Sequence, residues 1–554
     1  MRFFVFSFAL IWLCIPAEAD VKFTDVTDAA GIEFQHFTGA TGKRYMPETM
    51  GSGCAFLDYD ADGNLDILFA NGTNLTLADP TQTPRLYRNI GNGKFVDATE
   101  AAALDVAMYG MGITVADYDN DADPDIYFTN VGENRLFRNN GDQTFTDVTE
   151  FAEVGDSSWS TSAAFFDADN DGWLDIFVCN YVEWTPETDI PCVVNIAGET
   201  PPPRTYCTPN VYAGQSCRFY RNRGDGTFND QTSQAGLYNP IGKSLGVTLL
   251  DYNDDGWIDL AVANDTEPNF LYRNNGDGTF TDEALVMGIA FSETGKARGS
   301  MGIDAADVYN TGGTAIAIGN FSNEKTAFFY AESDDPYFTD RADNVKIGTA
   351  SHRLLTFGLL FFDCDLDGAL DLFCVNGHIE PEVSRYQQHT PYAQTPSLFQ
   401  NRGNGTFQDI TKRSGLTRTG VGRGCAYGDY DNDGDLDLLV SNNGVSEDYS
   451  KPWLLRNDST PSSNYLRVRT VGTQGNRNGI GAKVRVTSGG RVQEQIVRTG
   501  SSYCSQSEMV LTFGLGENET VTNLEIQWNS GEIDQYVELK ANQLIEVIEG
   551  ASPK

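Results

Sequence analysis

Histidine is scarce in this chain, with four in 554 residues, at positions 36, 352, 378 and 389. No two of them stand four apart, and no nucleophile elbow or phosphate-binding loop occurs. The signatures of zinc proteases, α/β-hydrolases and nucleotide hydrolases are therefore missing. Gly479-x-Gly481 lacks the third glycine and the following helix of a dinucleotide site. Positive charge is short as well: 38 Lys and Arg face 78 Asp and Glu, a formal net charge of −40. That balance excludes nucleic acid as a partner. Long apolar runs are also lacking. Phe3 to Ile15 is too short to remain in a bilayer, and the mean hydropathy is −0.35. With Arg2 before it and Ala17-Glu18-Ala19 after it, that run has the order of a secretory leader. Residues 1–19 are read as a signal peptide and the mature chain as exported: secreted, periplasmic or on the cell surface, with no transmembrane segment.

Beyond Cys14 there are nine cysteines, and an odd number leaves at least one thiol unpaired in an oxidising compartment. Cys192 and Cys207 flank one loop and are predicted to be bridged. Cys54 and Cys425 occupy equivalent places in two repeats, where their side chains point the same way round a ring, and are predicted not to bond.

The chain is rich in glycine (56), phenylalanine (33) and tyrosine (24), the composition of many turns between aromatic-bearing strands. Aspartate-rich loops begin at Asp58, Asp117, Asp167, Asp251, Asp363 and Asp429, with a degenerate copy at Asp307. Thirteen residues after each start stands an asparagine: Asn71, Asn130, Asn180, Asn264, Asn320, Asn376 and Asn442. Each unit reads as four short strands: a Gly-led run, a run leaving the loop, a Leu-Tyr-Arg-Asn type run, and a Phe-Thr-Asp type run after a Gly-rich turn. Seven such units predict an all-β fold, a seven-bladed β-propeller over residues 20–458. The fourth-strand pattern precedes the first unit, at Phe23, and is missing after the last. An N-terminal strand over 23–27 should therefore complete blade seven and remove open sheet edges. Residues 181–217 are an insertion between the second and third strands of blade three. Residues 459–463 read as a linker and 464–554 as a separate small β domain, with strands at 465–471, 482–487, 491–498, 521–528 and 543–548. This last region carries nine basic and ten acidic residues, so almost all the negative charge belongs to the repeats.

The six full loops share Asp-x-Asp/Asn-x-Asp-x-x-x-Asp. They are Asp58, Asp60, Asp62 and Asp66; Asp117, Asp119, Asp121 and Asp125; Asp167, Asp169, Asp171 and Asp175; Asp251, Asn253, Asp255 and Asp259; Asp363, Asp365, Asp367 and Asp371; and Asp429, Asp431, Asp433 and Asp437. Alternate oxygens in a tight turn suit calcium, which takes six to eight oxygen ligands. The sixth position is glycine except at Ala122. The seventh varies freely (Asn64, Asp123, Trp173, Trp257, Ala369 and Asp435), as expected where only the backbone carbonyl coordinates. An EF-hand would need flanking helices and a glutamate at position twelve, where this chain has Phe69, Phe128, Val178 and Val262. About six calcium sites are predicted, with none in blade five, where Tyr309, Thr311 and Ala315 replace ligands.

These loops and strands resemble the FG-GAP/VCBS repeats of integrin-α-type propellers. Tyr45-Met46-Pro47-Glu48-Thr49-Met50-Gly51-Ser52-Gly53, together with Asn376-Gly377-His378, resembles the cartilage acidic protein family. Pro191-Cys192 and Tyr206-Cys207 resemble its bacterial members. Asn478-Gly479-Ile480-Gly481-Ala482, Gly500-Ser501-Ser502-Tyr503 and Phe513-Gly514-Leu515-Gly516 resemble the ASPIC/UnbV domain. The resemblance implies an extracellular calcium-binding propeller. The expected function is a monomeric binding or adhesion module with structural calcium, its partner an extracellular protein or glycan. The alternative is a carbohydrate-acting hydrolase or lyase with carboxylates in the propeller channel. His378 follows a strand end and reads as a packed residue, and no catalytic residue is assigned.

Overall fold

The computed structural model describes residues 21–75, 79–196, 198–459 and 463–551. The leader at 1–19 and most of the linker at 459–463 lie outside the described residues. The protein is all-β apart from single helical turns. Among the described residues no helix is long and apolar enough to cross a membrane.

Residues 21–458 form seven four-stranded antiparallel sheets. Sheet two is typical: Gly110–Ala116, Asp125–Asn130, Arg135–Asn139 and Phe145–Asp147 pair in sequence order. Its first two strands are buried along their whole length, because neighbouring sheets cover both faces. Its fourth strand buries only Phe145. Sheet seven departs from sequence order. Gly422–Gly428, Asp437–Asn442 and Trp453–Asn457 are followed by Phe23–Asp25, from the other end of the chain. Phe23 lies opposite Asn457 just as Phe145 lies opposite Asn139. The first strand of each sheet lies beside the first strand of the next, and that of sheet seven lies beside that of sheet one.

Side chains tie adjacent sheets together at the loop-bearing end. The asparagine closing a third strand donates its Nδ2 to the loop of the preceding sheet: Asn139 to Tyr59 O (2.9 Å), Asn222 to Tyr118 O (3.0 Å) and Asn274 to Ala168 O (2.8 Å). Asn89 of sheet one reaches Tyr430 O of sheet seven in the same way, at 2.9 Å. The repeat asparagines have another duty. At the far strand ends, Asn264 and Asn376 accept from Ser244 Oγ and Thr356 Oγ1, each at 2.7 Å.

The C-terminal region has two sheets of its own. Asn464–Val471 pairs with Leu511–Gly516 and, in parallel, with Gln543–Ile548; the other sheet runs Arg491–Ile496, Lys483–Ser488, Thr520–Gln527, Ile533–Lys540. Two of these strands, Leu511–Gly516 and Ile533–Lys540, are additional to the five expected. The first is laced with glycine, and the second buries only Tyr536, so neither shows the alternation that marks a strand.

This region is far from separate. Residues 498–508 leave it and run among the first strands of the repeat sheets. Gln506 N donates to Cys54 O (3.0 Å) in sheet one, and Ile113 N of sheet two donates to Cys504 O (3.1 Å). Cys504 N donates to Ser162 Oγ (2.9 Å) in sheet three, and Ser502 and Ile303 of sheet five exchange two backbone bonds. Tyr503 packs edge-on against Phe357 of sheet six at 5.1 Å, and Glu508 N donates to Tyr427 O (3.0 Å) in sheet seven. Space for this backbone exists only where side chains are missing. A β-carbon on Gly53 would lie 1.6 Å from Cys504 O.

Candidate cation-binding loops

Each acidic loop is a tight turn held by its own carboxylates. In loop one, Asp58 accepts from the backbone N–H groups of Asp62 (3.1 Å) and Gly63 (3.0 Å), and Asp62 accepts from Asn64 N (2.9 Å). The pattern recurs for Asp117 with Asp121 and Ala122, for Asp167 with Asp171 and Gly172, and for Asp251 with Asp255 and Gly256. It recurs again for Asp363 with Asp367 and Gly368, and for Asp429 with Asp433 and Gly434. The sixth residue takes φ of 83° to 100° where it is glycine, and Ala122 is held at 80°, a conformation strained for any residue with a β-carbon. The seventh residue points its N–H at the fifth: Asp123 to Asp121, Trp173 to Asp171, Trp257 to Asp255, Ala369 to Asp367 and Asp435 to Asp433.

The ninth-position aspartates are committed differently. Asp66 accepts from Asn89 N (2.7 Å) with one oxygen and from Tyr59 N (3.1 Å) with the other. Asp125, Asp175, Asp259, Asp371 and Asp437 do the same with Asn139, Asn222, Asn274, Asn401 and Asn457 and with their own second loop residues. This position therefore anchors the loop to the third strand and keeps only its remaining lone pairs for a cation.

The third position stands apart. At least one buried oxygen of each of Asp60, Asp119, Asp169, Asp365 and Asp431, and one of the seventh-position Asp435, has no hydrogen-bond partner, although burying a carboxylate oxygen unsatisfied is costly. Arg88 forms an ion pair with Asp60 at 2.7 Å and Arg221 one with Asp169. In loop four the equivalent Asn253 donates its amide to Asp255 (2.7 Å). Ligand oxygens of Asp58, Asp60 and Asp62 lie within 4.8 Å of one another, as do those of Asp117, Asp119 and Asp125, of Asp167, Asp169 and Asp171, and of Asp363, Asp365 and Asp367. Burial, reinforced by neighbouring carboxylates, holds several of the loop acids above the usual carboxylate range. Asp66 and Asp259 are pushed up to about 8, Asp117 and Asp167 to about 7, and Asp431 to about 6. Asp435, buried among Asp433, Asp429 and Asp431, reaches about 9.

Loop five keeps the turn and lacks the carboxylates. Asp307 still accepts from Thr311 N (3.1 Å) and Gly312 N (2.7 Å). Tyr309 packs edge-on to Tyr330 at 5.0 Å, and the Tyr330 hydroxyl meets Thr311 Oγ1 at 3.0 Å.

The C-terminal region lies against this rim and brings cations to it. Arg467 pairs with Asp429 of loop seven and with Glu508, each at 2.6 Å, and Lys483 pairs with Asp251 of loop four at 2.8 Å. Sequence reading missed these contacts; its one signal was the concentration of basic residues in the last hundred positions. Cys192 and Cys207 are bridged, while Cys54 and Cys425 are separate buried thiols beside Ser505 and Ser502.

Residues 58–128, 117–178, 251–318 and 363–440 match the FG-GAP-like repeat, and residues 472–554 match the ASPIC and UnbV domain. Cartilage acidic protein 1 of Homo sapiens is 26% identical over 316 residues, covering 56% of this chain and 44% of the relative; that of Xenopus tropicalis is 27% identical over 331 residues, covering 56% and 45%. The chain thus spans under half the length of the curated relatives it matches. Among solved structures, an Agrocybe aegerita lectin that recognises non-reducing terminal N-acetylglucosamine aligns with a TM-score of 0.37 and 18% identity, over 65% of this chain and 79% of the lectin. Rhamnogalacturonan lyase YesW aligns with a TM-score of 0.32 and 11% identity, over 84% and 91%. With its acidic loops recurring from sheet to sheet and the C-terminal sheets seated on their rim, the chain belongs with the FG-GAP-like repeat proteins that end in an ASPIC and UnbV domain, and it is a distant homologue of cartilage acidic protein 1.

Proposed function

We propose that this protein is an exported, calcium-stabilised interaction module. In this reading the seven sheets are the blades of one closed propeller, clasped by Phe23–Asp25 within sheet seven. Loops one, two, three, four, six and seven each hold a calcium ion, and residues 20–458 and 464–554 are its two units. The observation that carries the cation reading is the unpartnered third-position oxygen in five loops, which a divalent ion would satisfy. Asp58, Asp60 and Asp62 with the Asn64 carbonyl, and their equivalents, would hold the ion. Its contribution would be to cancel charge and fix the turn, and the sites are structural. The leader pattern and the Cys192–Cys207 bridge support export, and the partner sought is an extracellular protein or glycan. Titration calorimetry with metal analysis tests the reading. About six equivalents of calcium, removable by chelator, are expected; no bound calcium from millimolar solution would overturn it.

The carbohydrate-acting alternative placed its carboxylates in a central channel. Residues 498–508 occupy the space among the first strands of the sheets, which leaves a saccharide chain little room there. The binding reading is therefore preferred.

A further inference from the structure

The face opposite the acidic loops has chemistry of its own. There a cavity of about 150 Å³ opens between the ends of strands from several sheets. Met46, Met50, Met301, Phe321 and Phe357 supply its apolar walls. The blade-three insertion closes one side with Cys207 to Asn210, held in place by the Cys192–Cys207 bridge. One wall is polar and acidic. Asp265, directly after the second strand of sheet four, accepts from the Tyr181 hydroxyl at 2.6 Å. Glu324, four residues past the end of the second strand of sheet five, accepts from Gly299 N at 2.8 Å. A β-carbon on Gly299 would lie 3.2 Å from Asp265 Oδ1 and 3.6 Å from Glu324 Oε2, so these two oxygens are at most about 6.8 Å apart. Thr266, next to Asp265 in the chain, also lines the cavity and has a buried hydroxyl without a hydrogen-bond partner.

The basic side chains near this wall, Lys243 by Asp265 and Arg298 by Glu324, offset its charge only in part, because each is also paired elsewhere. Lys243 is paired with Glu267 at 3.0 Å, and Arg298 with Glu293 and Asp340. Arg423 stacks behind Phe357 at 3.9 Å and donates to the carbonyls of Thr49 and Gly377. Burial and the neighbouring Glu324 push the Asp265 carboxyl up to about 7, so a cation entering here relieves an existing cost. The walls decide which cation. A hard metal ion wants six or more oxygens, whereas thioethers and aromatic rings beside two carboxylates suit an organic cation. The volume matches a cavity that holds a ligand of about benzene's size.

We propose that this cavity binds an alkylammonium group, either the head of a small amine or the side chain of a lysine presented by a partner. It shares no residue with the calcium loops, so its failure leaves the calcium reading intact. The test is titration calorimetry on the calcium-loaded mature chain with n-butylammonium, the neutral 1-pentanol, which is one methylene longer, and Nα-acetyl-lysine methylamide. Saturable binding of butylammonium at one site, about tenfold or more weaker in Asp265→Asn and in Glu324→Gln and weaker still for pentanol, is expected. Acetyl-lysine methylamide binding at least as tightly as butylammonium would identify a partner's lysine; binding of butylammonium alone would identify a small amine. Absence of binding at millimolar amine, equal binding of pentanol, or unchanged binding in both carboxyl variants would overturn the proposal. If Asp265→Asn fails to fold, Glu324→Gln and the cavity-filling Met301→Trp decide between these outcomes.

Discussion

Loops five and six occupy the same place on adjacent sheets and fold through the same turn. Asp307 and Asp363 each cap two N–H groups of their own loop. Loop six stacks Asp363, Asp365 and Asp367, leaves an Asp365 oxygen unpartnered, and holds Asp363 and Asp371 far above the usual carboxylate range by burial. Loop five fills the same space with Tyr309, Thr311 and Tyr330 and leaves no such debt. The turn therefore needs one aspartate and its backbone partners, and the third-position carboxylates are surplus to the turn itself. They concentrate repulsion that Arg88 at Asp60 and Arg221 at Asp169 relieve in part and that a bound metal ion or a proton would relieve further.

The strongest test of that contrast is to remove the cation. Ligand that binds only the folded state stabilises it by about 2.7 kcal/mol per site at a hundredfold excess over Kd. Across six loops, chelation should lower the melting temperature sharply, and a melting curve indifferent to chelator would place loops five and six on the same footing. Next in size is Gly53→Ala. Its methyl would collide with the backbone of residue 504, and a loss of about 3 kcal/mol or more is expected in chemical denaturation, with calcium stoichiometry unchanged.

Acidity offers a graded version. In the folded state Asp66 and Asp259 titrate near 8 rather than 3.8, so folding favours their protonated forms. Without calcium this cost is absent below about pH 4 and grows as pH rises towards 8. Stability of the chelated protein should therefore fall between pH 5 and pH 8. The slope is at most about 1.4 kcal/mol per pH unit for each such aspartate. Saturating calcium should flatten that slope, which paired melting curves would reveal. The smallest effect is local: Asp60→Asn should remove about one calcium equivalent and shift the melting temperature by only a few degrees. Installing aspartate at 309 and 311 together with Tyr330→Ala should add one equivalent, and an unchanged stoichiometry would mean that the carboxylates do not define the site.

Much of this was legible in the residues because the repeat fixes position. A loop start, an asparagine thirteen residues on and a Phe-Thr-Asp run place every strand of a sheet, and the orphan Phe23-Thr24-Asp25 could pair with nothing but the last one. What lay hidden depends on contacts between distant residues without periodicity. Gly500-Ser501-Ser502-Tyr503-Cys504 has no alternation to read, yet its backbone bonds to Ser162 and Ile303. Lys483 gives no sign that it will meet Asp251. The ninth-position aspartates look like ligands equal to the others, and only geometry shows both their oxygens already taken by N–H groups.

The path of residues 498–508 has a consequence for how the molecule comes into being. Sheet seven joins residue 23 to residue 457, and the first strands of sheets one, two, five and seven gain their backbone bonds to residues 502–508 only once that segment exists. Contacts of such sequence separation make folding slow. A nascent chain that ends before residue 457 has an incomplete last sheet, and one that ends before residue 508 lacks the segment among the first strands; either is exposed to proteases and to other copies. The final tenth of the sequence thus decides when the first nine-tenths become safe.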